Sequence, residues 1–224
     1  MKARRCLHLI ALSLGLHLGG NALAAATLDD LLTATKLGDA AAVTQWVQKG
    51  MDVNATDAHG NTLLILAARE DQPAVVEALI RQGARLDSRN PAGDTALMLA
   101  SLKGYVKVVD LLLAAGANFE HAGWNPLLYA AFEGQVAVVE RLLAKGADPN
   151  RLAPNQSTPL MYAARNGHEA VVVRLLKAGA NIDWQNDQKE TAESWALKNR
   201  NTDIAELIQA ERVARSKQLK IEIE

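Results

Sequence analysis

Apolar residues along this chain come in short bursts with helical spacing, separated by polar stretches of nearly constant length. Leu64, Ala67 and Ala68 share one helical face, and the same i, i+3, i+4 trio returns as Leu97, Ala100 and Ser101, as Leu127, Ala130 and Ala131, and as Leu160, Ala163 and Ala164. A second burst follows each: Val75-Val76 with Leu79-Ile80, Val108-Val109 with Leu112-Leu113, Val138-Val139 with Leu142-Leu143, and Val171-Val172 with Leu175-Leu176. Each burst predicts a helix of two or three turns, too short to persist alone in water. Such helices hold only when their apolar faces are buried against neighbours of the same kind, which is the physics of a solenoid.

Two rulers fix the period. Gly50-Met51, Gly83-Ala84, Gly116-Ala117, Gly146-Ala147 and Gly179-Ala180 stand 33, 33, 30 and 33 residues apart, and Thr62, Thr95, Asn125, Thr158 and Thr191 keep the same intervals. Gly104, Gly134 and Gly167 fall where a left-handed residue would end the first helix of a pair. The run Thr158-Pro159-Leu160-Met161-Tyr162-Ala163-Ala164, then Gly167-His168, Val171-Val172, Leu175-Leu176 and Gly179-Ala180, resembles an ankyrin repeat nearly position for position. The resemblance covers residues about 28 to 210. It implies an all-α solenoid with short β-hairpin fingers, and about six units near 27–57, 58–90, 91–119, 120–152, 153–185 and 186–211, within a domain spanning 25–211.

Departures from the family pattern are informative. Ile65, Met98, Leu128 and Met161 replace the histidine that usually ties the turn, so packing substitutes for hydrogen bonds there. Glu193 and Arg200 stand in the last unit where a leucine and a helix-ending glycine are expected, which marks a terminal cap. Between Gly116 and Gly123 the chain has three residues fewer than between Gly83 and Gly93, so the finger joining the third and fourth units is expected to be blunt. Tyr129, Tyr162 and Trp195 recur with Leu66 and Leu99 at one repeat position, a stripe expected to be solenoid core. The charged tail, 212–224, either extends the last helix or frays.

At the other end, Lys2, Arg4 and Arg5 precede an apolar run from Leu7 to Leu18, followed by Ala22-Leu23-Ala24. This is the order of a cleaved secretory signal peptide over 1–24, and its apolar run is short of the ~20 residues that span a bilayer. A periplasmic or secreted location follows as an expectation. Losing those three cations takes the formal charge from −1 to −4, which gives no electrostatic reason to seek nucleic acid or anionic lipid. The single cysteine, Cys6, lies within the leader, so the mature chain has no disulfide framework or thiolate metal site. No membrane insertion after cleavage and a monomeric state are expected.

No convergent catalytic set stands out. There is no H-E-x-x-H, no calcium-loop run of carboxylates, no G-x-S-x-G and no phosphate loop with a following lysine, so neither an enzyme nor a cofactor is expected. An enzyme with an unrecognised site, or haem or metal carriage through His59 and His121, is the alternative from another class.

Binding remains. The repeat pattern places His59, Asn61, Asp94, His121, Trp124 and Ser157 on fingers, beside Ala58, Pro91, Ala92, Ala122, Pro154 and Asn155. It places Arg69 and Glu70, Leu102 and Lys103, Phe132 and Glu133, and Arg165 and Asn166 at the exposed ends of first helices. Leu102, Trp124 and Phe132 are the apolar members, and they cluster beside the blunt finger as an expected hot spot. The competing reading folds Trp124 and Phe132 onto each other as local core. On the hot-spot reading, Trp124→Ala leaves folding nearly intact. The resemblance implies a non-catalytic protein-binding module, similar to small exported ankyrin proteins that support a periplasmic catalase or oxidative-stress defence, or to immunity proteins that neutralise a toxic envelope enzyme.

Overall fold

A computed structural model describes residues 26–223, with side chains to residue 218. The leader read at 1–24, including Cys6, lies outside the described residues, as does Glu224. Twelve helices follow one another: α1 (Leu28–Leu37) and α2 (Ala40–Gln48), α3 (Leu63–Arg69) and α4 (Pro73–Arg81), α5 (Ala96–Lys103) and α6 (Val106–Ala114), α7 (Pro126–Glu133) and α8 (Val136–Ala144), α9 (Pro159–Arg165) and α10 (Glu169–Lys177), α11 (Ala192–Lys198) and α12 (Thr202–Ile223). Odd-numbered helices stack on one another in an inner layer, and even-numbered helices in an outer layer. The α-helical solenoid expected from the spacing is what the chain forms.

Each inner helix starts for a local reason. The side chains of Thr62, Thr95, Asn125, Thr158 and Thr191 accept the backbone N–H three residues on, and losing such a cap costs about 1 kcal/mol. Ile65, Met98, Leu128 and Met161 are at most 1% exposed, so these positions are filled by packing. The reversal into the outer helix needs a left-handed residue. Gly104 and Gly134 supply it at φ 76°, whereas Asp71 and Arg200 hold the same turn at φ 51° and 63° with a side chain.

Units are stitched by two repeating sets of side-chain bonds. In the first, a residue at the start of the outer helix donates to the carbonyl end of the inner helix one unit earlier. Gln72 Nε2 reaches Lys36 O at 2.9 Å, Gln135 Nε2 reaches Leu102 O at 3.1 Å, His168 Nε2 reaches Phe132 O at 2.9 Å, and Asn201 Nδ2 reaches Ala164 O and Arg165 O at 2.9 Å. These carbonyls have no partner within their own helix, so each bond satisfies an otherwise open acceptor. In the second, a side chain four residues past each glycine ruler accepts an N–H from the next unit. Asn54 takes Arg85 N at 2.9 Å, Asp87 takes Asn118 N at 2.9 Å, Glu120 takes Asp148 N at 3.0 Å and Asn150 takes Asn181 N at 2.7 Å. Glu120, in the shortened loop, keeps the series going. Asp183 ends it, receiving Arg212 Nε at 2.8 Å.

The fingers differ from expectation. Four share a closing backbone bond, from Asp57 N to Asn61 O, Asn90 N to Asp94 O, Ala153 N to Ser157 O and Asn186 N to Glu190 O, each 3.0 Å long. One antiparallel bridge, Thr56 with Thr62, accompanies them, so among the described residues the fingers are tight turns rather than β-hairpin ladders. The first finger adds a second rung from Leu63 N to Ala55 O at 3.1 Å, whereas in the other fingers the chain enters a helix without one among the described residues. The blunt finger between α6 and α7 lacks even the closing bond among the described residues. The tail, as far as Ile223, continues α12. Arg212 pairs with Asp183 and Glu193, and Arg215 donates to Leu176 O and Ala180 O, so the tail covers the end of the stack.

Candidate concave binding surface

The inner helices and the fingers line one side of the stack. Along it, the position before each N-cap carries Asn61, Asp94, Trp124, Ser157 and Glu190 in turn, and these five side chains behave differently. Asn61 is buried: its amide donates to the Asp57 carboxylate and its Oδ1 accepts Asn90 Nδ2 at 3.0 Å. Ser157 is fully buried, with Oγ accepting Asn186 Nδ2 at 3.2 Å. Both lock one finger to the next and are withdrawn from any partner. Asp94 is half-buried and accepts the Tyr129 hydroxyl at 2.7 Å.

Trp124 breaks the series. Its ring centroid lies 5.0 Å from Tyr129, 5.1 Å from Tyr162 and 6.0 Å from Phe132, the last edge-on. Phe132 meets Tyr162 at 5.8 Å, and Tyr162 meets Trp195 at 5.6 Å. Separations and tilts of this kind are the favourable ones for aromatic pairs, about 0.5–1.5 kcal/mol each beyond burial. Trp124 and Phe132 are half-buried and pack on the core, so they do fold against each other while keeping an open edge. The indole is a structural contact of three rings, so Trp124→Ala is expected to weaken the fold rather than leave it nearly intact. The stripe read as core is buried at Leu66, Tyr162 and Trp195 and half-buried at Leu99 and Tyr129. Burial pushes both phenols above the usual tyrosine range, helped at Tyr129 by the Asp94 carboxylate and opposed at Tyr162 by the Asn155 bond, so both remain hydrogen-bond donors at neutral pH.

The remaining candidates divide by exposure. Lys103, Glu133, Arg165, Asn166, Glu70 and His59 are exposed, and Arg69 and Leu102 are half-buried. Arg69 is tied to Glu70 at 3.0 Å and Asn166 donates to Phe132 O at 2.7 Å, whereas Lys103 and Glu133 have no polar side-chain partner among the described residues. His121 is 8% exposed beneath the blunt finger, with Arg151 latching that finger through His121 O and Glu120 O. Burial takes His121 off the surface, and the metal alternative loses the free pair of imidazoles it needed. Among the described residues no group of three or more His, Cys, Asp or Glu is placed to hold a metal ion, and no helix is long and apolar enough to cross a membrane.

One part of this surface is missing from the sequence reading, which took the last unit for a cap alone. Trp195, Lys198 and Asn199 of α11, with Gln188 and Glu190 of the last finger, join Asn155 and Arg165 around an open recess of about 380 Å³. The signal was available: Lys198 and Asn199 follow Arg165 and Asn166 by the same 33 residues.

A family model for ankyrin repeats matches this chain three times in overlapping stretches, residues 31–122, 72–153 and 127–217. The chain belongs to the ankyrin repeat family. Ankyrin repeats serve as protein-binding scaffolds, and this ankyrin stack presents the corresponding concave face. Among solved ankyrin structures, the ankyrin repeat domain of human ASB11 is similar at a TM-score of 0.75 and 25% identity, over 81% of this chain and 82% of that one. No curated protein matches the chain.

Proposed function

We propose that this chain is an exported, non-catalytic module that binds a partner protein along its concave face, centred on Leu102, Trp124 and Phe132. The observation that carries the reading is the aromatic array, half-open to solvent, on the face of an ankyrin stack. Elsewhere on that face, Asn61, Asp94 and Ser157 are engaged with neighbouring side chains. A packed aromatic cluster with an open edge is the kind of anchor that supplies most of the energy of a protein interface. The signal-like leader supports a site of action in the periplasm or outside the cell. Candidate partners are a periplasmic catalase within oxidative-stress defence and, as the second setting, a toxin-like envelope enzyme held by an immunity protein.

The test is a pull-down from envelope extract with three baits. One is the unaltered chain, one carries Lys103→Glu with Glu133→Lys on the concave face, and one carries Lys107→Glu with Lys177→Glu on the outer helices. All four positions are exposed, so the fold is expected to persist. A partner held by the first and third baits and lost from the second bears the proposal out. Retention by the second bait, or equal loss from the third, overturns it. A captured catalase assigns the chain to stress defence, and a captured toxic enzyme assigns it to immunity.

A further inference from the structure

Arg165 is an arginine of the concave face with no ion-pair partner among the described residues. Arg69, Arg81, Arg141, Arg151, Arg174, Arg212 and Arg215 each face a carboxylate, whereas the Arg165 guanidinium has neither an ion pair nor a hydrogen bond to any described residue. It is nevertheless held in place, with Cζ 5.3 Å from the ring centroid of Trp195. Stacking of this kind orients the planar fork while leaving its N–H edge open.

The walls of the recess suit an anion. Asn155 Oδ1 already accepts the Tyr162 hydroxyl at 3.2 Å and Ser157 N at 3.2 Å, which turns its NH2 outward as a donor. Gln188 contributes a second side-chain amide. The one carboxylate in the recess, Glu190, is committed: Lys198 and Ser194 bind it and hold its carboxyl below the usual range. Lys198 and Glu190 thus cancel, and Arg165 leaves a single net positive charge lined by neutral donors. A singly charged planar carboxylate matches that balance and the guanidinium fork. A phosphate dianion would carry an excess negative charge toward Glu190.

We propose that this recess is a carboxylate-recognition subsite, taking an Asp or Glu side chain from an extended segment of the partner while the Leu102–Phe132 patch takes an apolar one. This rests on the protein-binding reading above and specifies its partner chemistry. Neighbouring inner helices lie about 8–10 Å apart and an extended chain advances about 3.3 Å per residue. The acidic residue therefore lies about three to six positions from the apolar anchor.

The test is selection of a random-peptide display library on the purified protein, followed by binding measurements on the selected peptides. Selected peptides are expected to carry Asp or Glu, and changing that residue to its amide weakens binding to the unaltered protein about tenfold or more. The same change has no effect on binding to Arg165→Gln, because the two removals act on one interaction. Arg165→Lys restores part of the affinity at most, since it keeps the charge without the fork. Arg165 is exposed, so Arg165→Gln is expected to remain folded, which a thermal melt checks. Peptides that compete for the concave face but show no carboxylate dependence, or that bind Arg165→Gln as well as the unaltered protein, overturn the subsite and leave the binding reading standing. A selection that returns no binder, joined to an empty pull-down, counts against both.

Discussion

The two halves of the inner layer share a backbone and differ in what they show to solvent. In the N-terminal half, the stripe is Leu66 and Leu99, the fingers are joined by Asn90 to Asn61, and Arg69 is neutralised by Glu70. In the C-terminal half, the stripe becomes Tyr129, Tyr162 and Trp195, Trp124 replaces a polar finger residue, and Arg165 is left without a counter-charge. Five of the nine aromatic residues of the chain fall in this one array. The stack itself is maintained identically in both halves, by small residues between inner helices and by the two repeating bond series. Concave chemistry is therefore free to vary because backbone support comes from elsewhere.

The harshest way to break the comparison is at the support. Ala130 is fully buried on α7, at the centre of the inner layer. Ala130→Phe forces a large ring between stacked helices and is expected to cost about 3 kcal/mol, the upper range for overpacking. In a solenoid, where stability sums over neighbouring interfaces, that loss uncouples the two halves. A denaturant melt followed by circular dichroism should change from one transition to two, or lose its midpoint outright. An unchanged curve would mean that α7 is not the junction on which both halves depend.

The aromatic array comes next. Trp124→Ala removes a half-buried indole from three ring neighbours and is expected to cost about 2 kcal/mol, below the range for a fully buried tryptophan. Asp94→Ala, the equivalent position one unit earlier, removes a single hydrogen bond from Tyr129 and is expected to cost about 1 kcal/mol. Thermal melts of the two variants rank the halves directly. A Trp124→Ala loss no larger than that of Asp94→Ala would mean that the array is a surface feature and not part of the fold.

Much of this architecture is legible in the sequence because repetition supplies its own alignment. The caps Thr62, Thr95, Asn125, Thr158 and Thr191, the buried trios and the glycine turns each follow from one local rule applied repeat after repeat. What escaped is lateral. Whether Asn61 and Ser157 face a partner or the next finger depends on Asn90 and Asn186, which lie 29 residues on in each case. His121 is buried for a related reason: the shortened loop draws its finger inward under Arg151. The recess at Trp195 was hidden by treating the last unit as an ending, although its inner helix repeats the register of its predecessor.

A smaller effect sharpens the comparison at the finger tips. Gly60, Gly93 and Gly123 occupy the left-handed position of the first three fingers, but Gln156 and Lys189 hold it at φ 59° and 58° in the last two. A side chain in that region costs about 1–2 kcal/mol, partly offset by the greater freedom of glycine when unfolded. Gln156→Gly and Lys189→Gly are each expected to stabilise the C-terminal half by about 0.5–1 kcal/mol. A raised midpoint in the melt checks this, and no gain would mean that contacts of these side chains offset the backbone cost.

The smallest expected effect lies at the seam between the halves. The Nε2 atom of His121 is buried without a hydrogen-bond partner. Burial first, then the nearby Arg89 and more weakly Arg151, hold its pKa below the ordinary imidazole value, against the opposing pull of Asp87 and the Asn118 backbone. With the folded value depressed, the unfolded chain binds the proton more readily, so stability is complete above the unfolded pKa of about 6.5 and is lost as pH falls through the lower folded value. The melting midpoint should therefore drop between about pH 7 and about pH 5, and His121→Gln should flatten that slope. Glu120, the residue before His121, carries the third bond of the loop series, so protonation loosens the finger beside Trp124 before it affects the helices. Tryptophan fluorescence should then move at a higher pH than the helical signal. Coincident changes would place the acid sensitivity in the whole stack, and equal slopes with and without His121 would mean that the imidazole reaches solvent.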